Sequence, residues 1–200
     1  MEMMELNEEW FFKINNLGKE YPHLDQVAVF TAEYMVFFLA LAALIYWFTR
    51  IKQNRIMVIN AAIAFILAEV VGKVAGMFHS NQQPFAELSN VNQLIEKAID
   101  NSFPSDHTIL FFSFCFTFFL YHRKSGVIWI GLALLAGISR IWVGVHYPMD
   151  ILVGALIAII AALITYVSVP KIKLVPKLLA FYEKVENIIW PQTQAKTKNY

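Results

Sequence analysis

Five stretches of this chain are each apolar over roughly the 20 residues that a helix needs to cross a bilayer, and no soluble fold accommodates that pattern. They run from about Val27 to Phe48, Ile56 to Phe78, Pro104 to Tyr121, Gly126 to Val145 and Pro148 to Val169. The reading is an all-α, polytopic membrane helix bundle, a single membrane-embedded domain over residues 1–200 with its transmembrane core at about 27–169. Two flanking segments are amphipathic rather than spanning. Met3, Leu6, Trp10, Ile14 and Leu17 recur at helical spacing beside Glu2, Glu5, Glu9 and Lys13. Leu178, Phe181, Tyr182, Val185, Ile188 and Ile189 form a second stripe opposite Lys177, Glu183, Lys184 and Glu186. Each suits a helix lying in the headgroup plane, or one packed against the bundle.

Composition agrees: 58% of residues are hydrophobic and 16% charged, where a soluble domain carries about a quarter charged. The formal net charge of +1 and the lack of a basic block give no footprint for nucleic acid. Cys115, the only cysteine, stands in an aromatic run and reads as apolar filler, so neither a disulfide nor a cysteine-built metal site is expected. The start, Met1-Glu2-Met3-Met4-Glu5, is acidic where a cleaved export signal is basic, so the apolar segments are expected to remain as anchors.

Lysine and arginine set the expected orientation. Arg50, Lys52 and Arg55 follow the first span, Arg123 and Lys124 the third, and Lys171, Lys173 and Lys177 the fifth. These alternate segments should be cytoplasmic. The connection from His79 to Phe103, with Lys97 as its only such residue, should face outward, as should His146-Tyr147-Pro148-Met149.

Ionisable groups in or beside membrane helices are costly, and here they collect at one face. Ser105, Asp106 and His107 open the third span, Ser139 and Arg140 lie near the outer end of the fourth, and His146 and Asp150 bracket the turn into the fifth. The types suit phosphoryl transfer, which relies on positioning and charge neutralisation. Arg140 offers a planar fork matching phosphate oxygens. Ser102 and Pro104 are start signals for a helix whose N-terminal amides face an anion, and Ser105 adds a hydroxyl. Asp150 can hold one ring N–H of His146 and leave the other nitrogen free to attack phosphorus. His107 is then the candidate acid for the leaving oxygen. Asp106 and Glu33 read as local hydrogen-bonding residues, and His79 as interfacial. His23 and His122 show no partner pattern, and the histidines and acids show no metal-ligand spacing.

Pro104-Ser105-Asp106-His107 resembles the P-S-x-H block of the type-2 phosphatidic acid phosphatase superfamily, and Ser139-Arg140…His146…Asp150 resembles its S-R-x5-H-x3-D block. The resemblance covers about Val27 to Val169 and implies a helical bundle, a phosphohistidine on His146 supported by Asp150, and His107 as acid. It also implies phosphate ligation by Ser105 and Arg140, with Ser139 beside them, and no metal or other cofactor. The family's first block, K-x6-R-P, is broken here. Pro84 matches, but Gln83 stands at the arginine and Gly76 at the lysine. Lys73, one turn deeper than Gly76, and Gln83 are the candidate replacements as phosphate ligands; for Lys73 an ion pair with Glu69 is the alternative. Gly137 to Pro148 and Gln83-Pro84-Phe85 are similar to bacterial undecaprenyl pyrophosphate phosphatases of the bacitracin-resistance type. That implies a bacterial cell membrane, a polyprenyl diphosphate lipid as substrate partner, and a site facing the non-cytoplasmic side. The alternatives are a phosphatidylglycerophosphate or phosphatidate phosphatase and, in another class, a non-catalytic membrane carrier or scaffold.

Overall fold

The computed structural model describes residues 2–191, with side chains from Met4 onward; Met1 and residues 192–200 of the expected single domain lie outside the described residues. All regular structure among the described residues is helical: α1 Glu2–Asn15, α2 Leu17–Glu20, α3 Asp25–Phe48, α4 Lys52–Phe78, α5 Pro84–Glu87, α6 Asp106–Tyr121, α7 Arg123–Trp142, α8 Pro148–Ser168 and α9 Leu174–Ile189. The chain divides into two compact units, Met1–Tyr166 and Val167–Tyr200. In the second unit, Leu178, Phe181, Ile188 and Ile189 of α9 are exposed, as on a helix lying at an apolar interface.

The five expected spans are α3, α4, α6, α7 and α8. Four of them are long and apolar enough to cross a membrane. The exception is α6, whose 16 residues reach only about 24 Å against a hydrocarbon layer of roughly 30 Å. It is the most enclosed of the five, with Ile109, Cys115 and Phe118 fully buried among α3, α4 and α7. Neighbouring helices cover most of it, so its short length leaves little mismatch exposed. The phenylalanines of α6 that lie in the core, Phe111, Phe112 and Phe118, are therefore packing residues.

Small residues make this packing possible. Ala61, Ala64, Ala68 and Gly72 form one buried stripe of α4, and a Cβ at Gly72 would come within 2.6 Å of Ile109 Cδ1. At the other end of α6, His122 Nε2 meets Asn54 Oδ1 at 2.9 Å, which aligns the end of α6 with the first turn of α4. α4 then continues past the opening of α6 to Phe78. On the opposite wall, Arg140 donates from Nη1 to the Ala32 carbonyl at 3.1 Å, about two turns inside α3. The cluster at this end is thus recessed below the rims of its neighbours.

For α1 the open choice between interface and packing is settled in favour of packing. Phe11 is fully buried against Ile141 and Tyr147. Asn15, also fully buried, donates from Nδ2 to the carbonyls of Asn92 and Trp142, each at 2.9 Å, and accepts from Asn92 N at 2.8 Å. Asn7 Oδ1 accepts from Met149 N at 3.0 Å. The helix clasps the turn between α7 and α8. An unpaired buried polar group costs about 1–3 kcal/mol, so Asn15→Ala should lower the melting midpoint of the detergent-purified protein by several degrees and reduce activity with it. An unchanged midpoint would show that the clasp contributes nothing.

Candidate active site

The turn after α7 sets the geometry. α7 stops at Trp142 rather than at Val145, because Gly144 adopts φ +86°, a left-handed conformation that a helix cannot continue through. Val145 N donates back to the Arg140 carbonyl at 3.1 Å, and Leu94 N to the Val143 carbonyl at 3.2 Å. Pro148 then opens α8, and its first turn carries Asp150.

His146 and Asp150 are 3% and 1% exposed. Nδ1 of His146 lies 3.0 Å from Ser102 Oγ, and Ser102 donates to Asp150 Oδ2 at 2.5 Å. The direct separation between Nδ1 and Oδ2 is 3.4 Å. Tyr147 N also donates to Oδ2, at 2.9 Å. The carboxylate is therefore coupled to the ring chiefly through a serine hydroxyl, with Nδ1–H donating to Ser102. Burial holds the His146 ring below its ordinary pKa; Asp150 opposes this, and Lys97 and Arg140 add to the lowering. A neutral ring whose Nδ1 carries the proton leaves Nε2 unprotonated. Tyr147 is pushed the other way, upward, by burial and by its hydrogen bond to Glu87 Oε2 at 3.0 Å, so it remains a neutral donor.

Nε2 faces Lys97, whose Nζ is 3.5 Å away. Lys97 Nζ is also 3.7 Å from Asp100 Oδ1. Asp100 is held from both sides by Gln83: its N–H donates to Gln83 Oε1 at 3.1 Å, and its Oδ1 accepts from Gln83 Nε2. Burial lowers the Lys97 pKa; Asp100 opposes this and Arg140 reinforces it. His107, on the first turn of α6, lies within electrostatic range of Arg140, His146 and Lys97. Arg140 is 4% exposed, and its Nε is buried without a hydrogen-bond partner.

The structure thus brings His107, Arg140, His146 and Asp150 to one recess. Ser105 is there as well, its backbone N–H on the Asp150 carbonyl at 3.2 Å, but its Oγ accepts from Thr108 N at 3.4 Å. Ser105 is therefore the cap of α6, and the helix starts at Asp106; Ser102 and Pro104, read as start signals, stand outside it. The Ser139 hydroxyl donates to the Ala136 carbonyl at 2.7 Å and is committed within its own helix. Gln83 is fully buried on Asp100. Lys73 lines a cavity of about 280 Å³ with Gly76, Asn101 and Asp106, and Glu69 is an electrostatic neighbour of both Lys73 and Asp106. A Cβ at Gly76 would lie 2.9 Å from both Phe103 O and Asn101 Nδ2, so the loop occupies the place of the family's lysine. His122, read as partnerless, is bonded to Asn54 and stacked on Tyr46.

Sequence reasoning missed Ser102 as a bridge and Lys97 as a neighbour of His146 Nε2. The available signal for Lys97 was its isolation, as the only Lys or Arg between His79 and Phe103.

An oriented imidazole beside two cations at the recessed end of an apolar bundle defines a membrane enzyme that handles phosphate, and comparison with known proteins says which. The family model of the PAP2 superfamily matches residues 57–174, more than half of the chain, and the chain belongs to that superfamily. It is an enzyme, a metal-independent phosphatase of lipid phosphates, as the sequence blocks implied. It is 54% identical over its whole length, and the whole of the relative, to a Bacillus licheniformis protein named bacitracin transport permease protein BcrC. It is 36% identical over 78% of its length to the undecaprenyl-diphosphatase BcrC of Bacillus subtilis, covering 80% of that chain. The crystal structure of Aquifex aeolicus LpxE matches with a TM-score of 0.61 at 31% identity, over 80% of this chain and 94% of that one.

Proposed function

We propose that this phosphatase hydrolyses undecaprenyl pyrophosphate to undecaprenyl phosphate and inorganic phosphate on the non-cytoplasmic face of a bacterial membrane, through a phosphohistidine on His146. The observation that carries the chemistry is the His146 ring, tied at Nδ1 to Ser102 and Asp150 and open at Nε2 toward Lys97. The substrate is inferred from the Bacillus subtilis relative's name. In the first step, Nε2 attacks the terminal phosphorus. The Nε2–P bond forms as the bond from phosphorus to the bridging oxygen breaks, and undecaprenyl phosphate leaves, with His107 able to donate a proton to it. Asp150 balances the positive charge that the ring acquires. In the second step, water attacks phosphorus, His107 takes its proton, the N–P bond breaks, and phosphate is released. Arg140, deep in the recess, offers its fork to the equatorial oxygens.

The Bacillus licheniformis relative is named as a permease, and that name favours a second reading, in which the bundle carries a lipid or bacitracin without turnover. Phosphate release by the purified protein from undecaprenyl pyrophosphate, phosphatidylglycerophosphate and phosphatidate separates the readings. Release from the first, faster than from the two monoesters, is the expected result, and no release from any would leave the carrier reading. Orientation is tested with single cysteines at Asn90 and Ser125 in a Cys115→Ser background. Asn90→Cys should react from outside with an impermeant reagent, and Ser125→Cys should not.

A further inference from the structure

We propose that Lys97 is a phosphate-binding catalytic residue, the cation that this chain uses in place of the two missing from its first block. The proposal rests on the phosphatase reading of the same recess. Its primary support is positional. Lys97 Nζ lies 3.5 Å from Nε2 of His146, the nitrogen that the Nδ1 bonds leave open. An attacked phosphorus sits about 3–3.5 Å from its nucleophile, which brings its non-bridging oxygens within reach of that ammonium group. Nothing else on the loop from His79 to Phe103 carries a lysine or arginine charge.

Three further observations show that the position is built. Lys97 is half-buried, and Asp100, one turn of chain away, is 3.7 Å from its Nζ. Asp100 is in turn gripped at its N–H and its carboxylate by Gln83, which is fully buried. The residue at the family's arginine position thus serves as an anchor for the loop that supplies the new cation. At the family's lysine position, Gly76 lies against the carbonyl of Phe103, and a side chain there would push out the same loop. The two departures from the block and the placement of Lys97 are one arrangement. Lysine also suits the place: a compact ammonium on a long stem can follow the phosphoryl group as it moves from the bridging oxygen to Nε2.

The test uses the full chain in detergent, with two readouts: affinity for orthovanadate by titration calorimetry, and release of phosphate from undecaprenyl pyrophosphate. Lys97→Ala and Lys97→Gln should each weaken orthovanadate roughly 10- to 100-fold, with a comparable loss in kcat/KM and a melting midpoint near that of the unmodified protein. Lys97→Arg, which keeps the charge, should stay within about threefold on both readouts. Gly76→Lys in the Lys97→Ala background should restore neither. Orthovanadate affinity unchanged in Lys97→Gln, or lost equally in Lys97→Arg, overturns the assignment. Rescue by Gly76→Lys overturns the claim that the loop displaces the family's lysine and leaves Lys97 dispensable. If the unmodified protein neither binds orthovanadate nor releases phosphate from any lipid, the phosphatase reading falls and Lys97 with it. If it does both while Lys97→Ala matches it, only the present assignment falls.

Discussion

Alanine at position 146 is expected to lower turnover by on the order of 10⁶-fold, to the limit of detection, while the protein still folds. The loss follows from the position of the ring: Nδ1 is tied to Ser102 and Asp150, and Nε2 is aimed at Lys97 from 3.5 Å. The neighbours should grade in order of the charge support they give the ring. Asp150→Asn keeps the shape but removes the charge that supports the ring, a loss of roughly 10⁴-fold by analogy with other carboxylate–histidine pairs. Ser102→Ala leaves Nδ1 and Oδ2 3.4 Å apart with their bridge gone, and should cost less than Asp150→Asn but more than Ser139→Ala. Acid should act on the same ring. Burial lowers the folded-state pKa of His146, so as pH falls through about 6.5 the unfolded chain takes up the proton first. Stability held above that pH is lost below it, and activity is lost as the folded ring itself protonates. Initial rates and melting midpoints across pH 5–8, at fixed detergent, measure both. Turnover by His146→Ala above one-hundredth of the unmodified rate would require another nucleophile.

Alanine at position 107 should split two substrates apart. A general acid matters in proportion to how poor the leaving group is. Phosphatidate releases an alkoxide, which needs a proton. Undecaprenyl pyrophosphate releases a phosphate monoester, whose second pKa is about 6, so it departs largely unprotonated at neutral pH. His107→Ala is therefore expected to reduce kcat on the monoester by roughly 10²–10⁴-fold and on the diphosphate far less. His146→Ala should be equally severe on both. The comparison requires both lipids in one detergent and rates at saturation, so that chemistry is separated from binding. Equal losses would mean that His107, which lies within range of Arg140 and Lys97, mainly holds phosphate.

The features legible in the sequence were those carried by spacing. Apolar runs of spanning length gave α3, α4, α7 and α8, and the interval from Arg140 through His146 to Asp150 placed all three at one end of the bundle. Features that depend on an irregular path were not legible. The connection from His79 to Ser105 has no period. Its shape is held by bonds such as Ser102 N to the Asn81 carbonyl at 2.8 Å and Asn101 Nδ2 to the Phe103 carbonyl at 2.9 Å. Lys97 therefore reaches His146 by a route that no count of residues from Gly76 or Gln83 reveals. Lys73 shows the converse. Helical spacing put it one turn from the family's lysine, but that turn faces the cavity shared with Asp106. The stripe of α1 was ambiguous for a different reason: a lipid surface and a protein surface ask for the same apolar face, and only Asn7 and Asn15, with their bonds to Met149 and Trp142, distinguish them.

That clasp has a consequence for how the protein is made. Asn15 closes on a carbonyl 127 residues further along the chain, and Asn7 on an amide 142 residues away. The first helix leaves the ribosome long before the turn it holds, and waits while α3, α4, α6 and α7 insert. The recess that houses His146 is thus bordered by contacts of long sequence separation, formed only once α7 and the turn after it have been made. Such contacts come late because the intervening chain must be ordered first. A ribosome-bound chain stopped after α7 should carry Arg140 and His107 in the membrane and be catalytically silent. A fusion that stiffens or crowds the amino terminus should act most strongly on the yield of active enzyme, and least on the amount inserted.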